Sequence, residues 1–202
     1  MCIRDSLKLS LKLFIRLLVV VGCAVFPGSS TPDTEKIGRV TIAEFGASNQ
    51  LLRPGSIDEW ILLGASAGHG YPNQSSPEFS HKHPGKIQIV QMEPEAYRYF
   101  KKHKHFANGT MLSLSFYDVQ KTPTPDVNGI VQGALSGFEI HLIDKEKYAD
   151  TRAFYHFQIN DQSAPMIKPG NSCVQCHNAH AQFDGTFMQF YPTGRDLVLK
   201  QK

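Results

Sequence analysis

Cys173-Val174-Gln175-Cys176-His177 constrains this chain more than any other stretch of its 202 residues. Few chemistries need two cysteines three apart followed at once by a histidine. Two such thiols can add to the two vinyl groups on one edge of a porphyrin, and the adjacent imidazole then turns onto the iron. Zinc would need two further ligands; His180 could be one, but the chain has no second cysteine pair. A redox pair would normally open a helix after a strand near the front of a thioredoxin-like unit, and that context is missing. A structural disulfide is the remaining competitor. The reading is one covalent haem c, anchored by Cys173 and Cys176, with His177 as the axial metal ligand.

The motif lies 25 residues from the carboxyl terminus. Only Met188, eleven residues on, follows it as a possible sulfur ligand, and a packing role explains that residue equally well. Met92, Met111 and Met166 are open to the same explanation. With no evident second strong ligand, a five-coordinate iron is expected. An open position means gas or substrate chemistry rather than simple electron transfer.

Attachment of this kind takes place outside the cytoplasm, and the amino terminus agrees. Residues 1–30 read as a signal peptide: Lys8, Lys12 and Arg16 form a basic region, and Leu17 to Phe26 is apolar but too short to span a bilayer. Two processing routes fit. One cuts after Ser30. The other puts a lipid on Cys23 of Val20-Val21-Gly22-Cys23, the only route to membrane attachment. Plain cleavage is favoured, because Arg16 shortens the apolar run ahead of Cys23. Met1 to Ser6 does not resemble a natural leader. The expected location is the periplasm.

The formal charge of +3 comes from this leader; without it 17 basic and 17 acidic residues remain. A nucleic-acid partner therefore has no electrostatic footprint. With at most three cysteines left, the chain is not a disulfide scaffold.

Residues 31–49 read as a lead-in with a possible strand from Val40 to Phe45, and residues 50–202 as one haem domain. Strands are expected at Trp60 to Leu63, ending at Gly64, and at Ile87 to Met92, Met111 to Phe116, Gly137 to Leu142 and Phe154 to Phe157. Within Met111 to Phe116, Leu112, Leu114 and Phe116 share one face; Ser113 and Ser115 share the other. A helix is expected from Pro94, with Glu93 and Glu95 at its positive end and Lys101, Lys102 and Lys104 at its negative end. Short helices are expected at Asp144 to Tyr148 and on the cysteine motif, and a Pro-rich loop at Lys121 to Asn128. The fold class is mainly β (α+β): an antiparallel sheet with a few short helices, and the haem near the carboxyl end.

The tail from Cys173 to Pro192, with Asp184, Phe187 and Phe190-Tyr191-Pro192 after the cysteine motif, resembles the carboxyl end of the cytochrome P-460 / cytochrome c′-beta family. Upstream blocks are similar too: Trp60 to Gly64, Glu93 to Tyr97, Phe106 to Thr110, Asp144 to Tyr148 and Ala153 to Tyr155. The likeness covers about residues 50–192. It implies an antiparallel β fold, a homodimer, a redox partner protein and a pentacoordinate haem c with His177 proximal. The family holds two types. The P-460 type bonds a lysine to the porphyrin and oxidises hydroxylamine. The c′-beta type lacks that bond and binds nitric oxide or carbon monoxide in an apolar pocket. The cross-linking position falls on Leu114, and the P-460 arginine position on Gln88. The resemblance therefore implies a c′-beta-like ligand binder for small diatomic or nitrogenous molecules. A P-460-type hydroxylamine or nitric-oxide oxidoreductase is the alternative, and a six-coordinate electron-transfer cytochrome the second.

Further candidates are less specific. Leu114 and Phe187 are expected to touch the cofactor, and Phe116, Phe138 and Phe154 are possible pocket walls. His69 sits in a Gly-rich loop that could approach the ligand. His81, His83, His103 and His105 read as solvent-exposed. His180 could lie on the proximal side, and Asp184 could orient that region.

Overall fold

The computed structural model describes residues 37–40, 43–68, 85–121 and 129–199. The signal peptide, most of the Pro-rich loop, His69, His81, His83 and part of the expected strand from Val40 to Phe45 lie outside the described residues.

The chain builds a five-stranded antiparallel sheet in the order β2-β3-β4-β5-β6. The strands are β2 (Ile61–Ala67), β3 (Ile87–Met92), β4 (Thr110–Lys121), β5 (Ile130–Ile143) and β6 (Arg152–Gln158). Each strand pairs with its sequence neighbour, so the sheet is a meander. Two short strands, β1 (Leu51–Leu52) and β7 (Ser163–Ala164), pair separately. The described residues also form three α-helices, α1 (Pro94–His103), α2 (Ser172–His180) and α3 (Pro192–Leu199), and two short 3-10 turns. The mainly β, antiparallel class expected from the sequence is the class observed.

Local chemistry sets the helix ends. The Glu93 carboxylate accepts from the backbone N–H groups of Glu95 (2.9 Å) and Ala96 (2.7 Å), with Pro94 first in the helix. The Asn171 side chain accepts from the Cys173 N–H at 2.9 Å and starts α2. Asp144 to Tyr148 is not a helix. Asp144 instead accepts from the N–H groups of Glu146 (3.1 Å) and Lys147 (3.0 Å), which closes a turn. α3 was not expected from the sequence; Pro192 suits its first position.

Both faces of the sheet are covered. Met111, Phe138, Ile140, Leu142, Tyr155 and Phe157 share one face, which packs with Leu51 and Trp60 into a core. Ser113 and Ser115 lie on this buried side, so the polar half of the β4 alternation does not mark solvent. On the other face Leu63, Met92 and Leu112 pack with Ala96, Phe100 and Phe106. The β2 strand does not stop at Gly64. It continues past a register shift there, because a glycine lets the Tyr191 ring lie on the strand where any Cβ would overlap it.

Candidate functional site

Register places the second sheet face residue by residue. Val90 pairs with Leu114 and Leu114 with Glu139; Leu112 pairs with His141 and His141 with Phe154. These side chains, with Gln88, project toward α2 and the segment after it. Between them lies a cavity of about 330 Å³, walled on the far side by Cys173, Cys176, His177, Phe187, Phe190 and Tyr191. That volume is within the ordinary range for ligand and cofactor sites.

Helical spacing aligns the motif. Cys173, Cys176 and His177 stand at positions i, i+3 and i+4 of α2, so all three share one face. Both cysteines are free thiols. Burial pushes the Cys173 thiol upward, and the nearby Glu139 charge adds to this.

His177 is held from several sides. Its Nδ1 lies 2.6 Å from the carbonyl oxygen of Gly185. A carbonyl can only accept, so Nδ1 carries the hydrogen and Nε2 keeps a lone pair for a metal. Phe154 (4.6 Å), Phe187 (4.7 Å) and His141 (5.6 Å) surround the ring, measured between ring centroids. Burial pulls the His177 pKa down, against the Gly185 hydrogen bond, and so favours the neutral imidazole that binds metals.

The structure sorts the other candidates. Leu114, Phe154 and Phe187 line the cavity. Phe138 does not: it is buried on the opposite face, stacked on Phe157 at 4.8 Å. Phe116 is not among the cavity-lining residues. Met188 is buried in the core among Leu63, Phe100 and Phe106, which fits its packing role. His180 is exposed at the end of α2. His103 and His105 are half-buried and pack around Tyr99 rather than standing in solvent. Asp184 pairs with Lys145 at 3.2 Å; the group that touches His177 is the carbonyl of its neighbour, Gly185.

Two polar wall residues escaped the sequence reading. His141 is buried, and its Nε2 has no hydrogen-bond partner. Desolvation holds its pKa well below the ordinary histidine value, so it is neutral. Glu139 lies beside Leu114 and pairs with His156 at 3.4 Å. Burial pushes its carboxyl pKa up, and His156 opposes the shift. The wall is thus apolar at Val90, Leu112, Leu114, Phe154 and Phe187, but polar at Gln88, Glu139 and His141. Glu139 and His141 alternate with Phe138, Ile140 and Leu142, and this was the one available signal.

The residues fit a haem c. Two free thiols and a neutral imidazole with Nε2 uncommitted share one wall of a largely apolar cavity. The orphaned Nε2 of His141 shows that this cavity leaves a polar valence unfilled. No cluster of three or more metal-ligating side chains occurs among the described residues. A helix with this motif on a mainly antiparallel β fold fits a haem c protein with a carboxyl-terminal attachment site. The family model for Cytochrome P460 matches residues 69–188. The chain belongs to the cytochrome P460 family, and it is a haem c cytochrome of that family. A search of curated proteins finds no significant match.

Proposed function

We propose that this chain is an exported, periplasmic, homodimeric cytochrome whose single haem is bonded to Cys173 and Cys176. His177 would supply the protein's ligand to its iron, and the bound group would take a small neutral ligand such as nitric oxide. A haem c with an open axial position supplies reversible binding of diatomic ligands and one-electron chemistry.

Leu114 carries this reading. It lines the cavity, no lysine is among the described lining residues, and the resemblance puts the bonded lysine of the P-460 type at this position. An apolar side chain there leaves the porphyrin edge without a nucleophile. Leu112 and Phe154 on the same sheet face, and Phe187 on the facing side, make the lining largely apolar, which favours neutral ligands over charged ones. His177 is oriented by Gly185 and enclosed by aromatic rings, which pre-sets it for the metal. A leader with a basic region and a short apolar stretch supports export.

A second reading rests on His141. Its unpartnered, neutral Nε2 on the cavity wall could serve as a second ligand, which would make a six-coordinate electron carrier.

Nitric oxide titration of the ferrous holoprotein, followed by peptide mass analysis, tests the proposal. The expected result is a high-spin ferrous spectrum that shifts on adding nitric oxide, with every lysine peptide unmodified. A low-spin spectrum indifferent to the gas would favour the His141 reading. A strongly red-shifted ferrous Soret band with a porphyrin-bonded lysine would establish the oxidoreductase type instead.

A further inference from the structure

Arg152 opens β6 beside the proximal helix. Its Nη2 donates to the Oδ1 of Asn178 at 2.7 Å, and its Nη1 to the Oγ1 of Thr151 at 3.4 Å. Its Nε is buried without a partner. Both acceptors are neutral, and among the described residues no carboxylate forms an ion pair with this guanidinium.

The side chain lies directly on Gly185. A Cβ on that residue would overlap Nε, Cδ and Cζ of Arg152, and the backbone there has φ +75°. Glycine is therefore required both by the conformation and by the arginine. Gly185 is also the residue whose carbonyl accepts from His177 Nδ1. The cation thus touches the peptide that holds the imidazole, and its fork holds Asn178, the next residue of α2.

We propose that Arg152 tunes the proximal histidine by laying an uncompensated positive charge against the Gly185 peptide, and so raises the reduction potential of the bound haem. This rests on the reading of His177 as the axial ligand. Two effects of the cation act with one sign. A nearby cation disfavours the ferric state, which carries one more positive charge than the ferrous. It also draws electron density from the Gly185 carbonyl, weakens that acceptor and reduces the anionic character of the imidazole. Arg152 is a positioning residue, since it acts through Gly185 and Asn178.

The test uses the holoprotein and three variants, Arg152→Gln, Arg152→Lys and, as a charge control at an exposed side chain of α1, Lys101→Gln. Potentials are read by spectroelectrochemistry, and the iron–histidine stretch by resonance Raman of the ferrous form. In Arg152→Gln the ferric-to-ferrous ratio at fixed potential should rise about tenfold, equivalent to about 59 mV for a one-electron couple. The iron–histidine band should move to higher frequency. Arg152→Lys, which keeps the charge, should stay within about twofold of the parent, as should Lys101→Gln. A folded Arg152→Gln protein with less than a twofold change and an unmoved band overturns the proposal. If Arg152→Gln loses its haem, Arg152→Lys decides: a shift of about tenfold overturns the role of charge, and a parent-like ratio upholds it. Absence of an iron–histidine band in the parent protein would instead sink the His177 assignment, and the proposal with it.

Discussion

His177 donates through Nδ1 to the carbonyl of Gly185, eight residues further along the chain, at 2.6 Å. The acceptor lies in a turn that only a residue comfortable at φ +75° can make cheaply. Gly185→Ala should lose about 1–2 kcal/mol from the left-handed conformation alone, and more where Arg152 must move. Chemical denaturation reads the loss as a lower midpoint. The same variant should weaken the iron–histidine bond, seen as a lower-frequency stretch in the ferrous protein. A variant that unfolds like the parent would show that the turn is not under this constraint.

Gly64 makes the matching case on the other side of the cavity. The Tyr191 ring rests on it, and the Tyr191 hydroxyl bonds to Ser66. Gly64→Ala should cost about 1–3 kcal/mol, as overpacking does elsewhere. Because Tyr191 lines the cavity, the rate of carbon monoxide binding should change as well. Stopped-flow mixing checks this, and unchanged kinetics with unchanged stability would mean that Tyr191 shifts freely.

These two glycines show what the sequence carried and what it did not. The cysteine motif, the first helix and the places of all five sheet strands were legible, since each has a local signal: spacing, capping or an apolar or alternating run. Glu139 and His141 were not read as wall residues. Alternation tells which side chains share a face, but not which face another part of the chain will cover. Here the cover is α2, which begins about thirty residues after β5 ends and supplies the facing side of the cavity. Phe138 was a possible wall for the same reason and lies on the opposite side. The role of Gly185 was hidden because a backbone carbonyl leaves no residue-type signature. Asp184, its neighbour, drew attention instead.

Asp144 joins the described amino-terminal segment to the turn after β5. It accepts from Arg39 at 2.7 Å and from the N–H groups of Glu146 and Lys147. Burial pushes its carboxyl pKa up, but Arg39 and the two N–H groups outweigh that, and the net shift is downward. A carboxylate depressed in the folded state stabilises above its unfolded pKa of about 3.9, and that stability is lost as the pH falls through the lower folded value. Asp144→Asn should therefore cost about 1–2 kcal/mol at pH 7, since Arg39 is half exposed and its share is small. The gap between variant and parent should narrow as the pH drops below the unfolded pKa and close below the lower folded one. Melting curves across pH check this, and a gap that persists in acid would assign the loss to packing instead.

Glu93 is an unusual cap, because its longer side chain reaches two N–H groups at once. Glu93→Ala should destabilise by about 1–2 kcal/mol, while Glu93→Asp should recover part of the loss. Urea denaturation of both variants checks the order, and equal stabilities for the parent and Glu93→Ala would remove the cap from the account.

Covalent haem at Cys173 and Cys176 underlies everything proposed for this site. The direct measurement is acid–acetone extraction, followed by intact mass, of protein made in a host that matures c-type haem. The account predicts that one haem per chain stays with the polypeptide, and that Cys173→Ser with Cys176→Ser releases it. A colourless protein, or a parent whose pigment passes into the acetone, would contradict it.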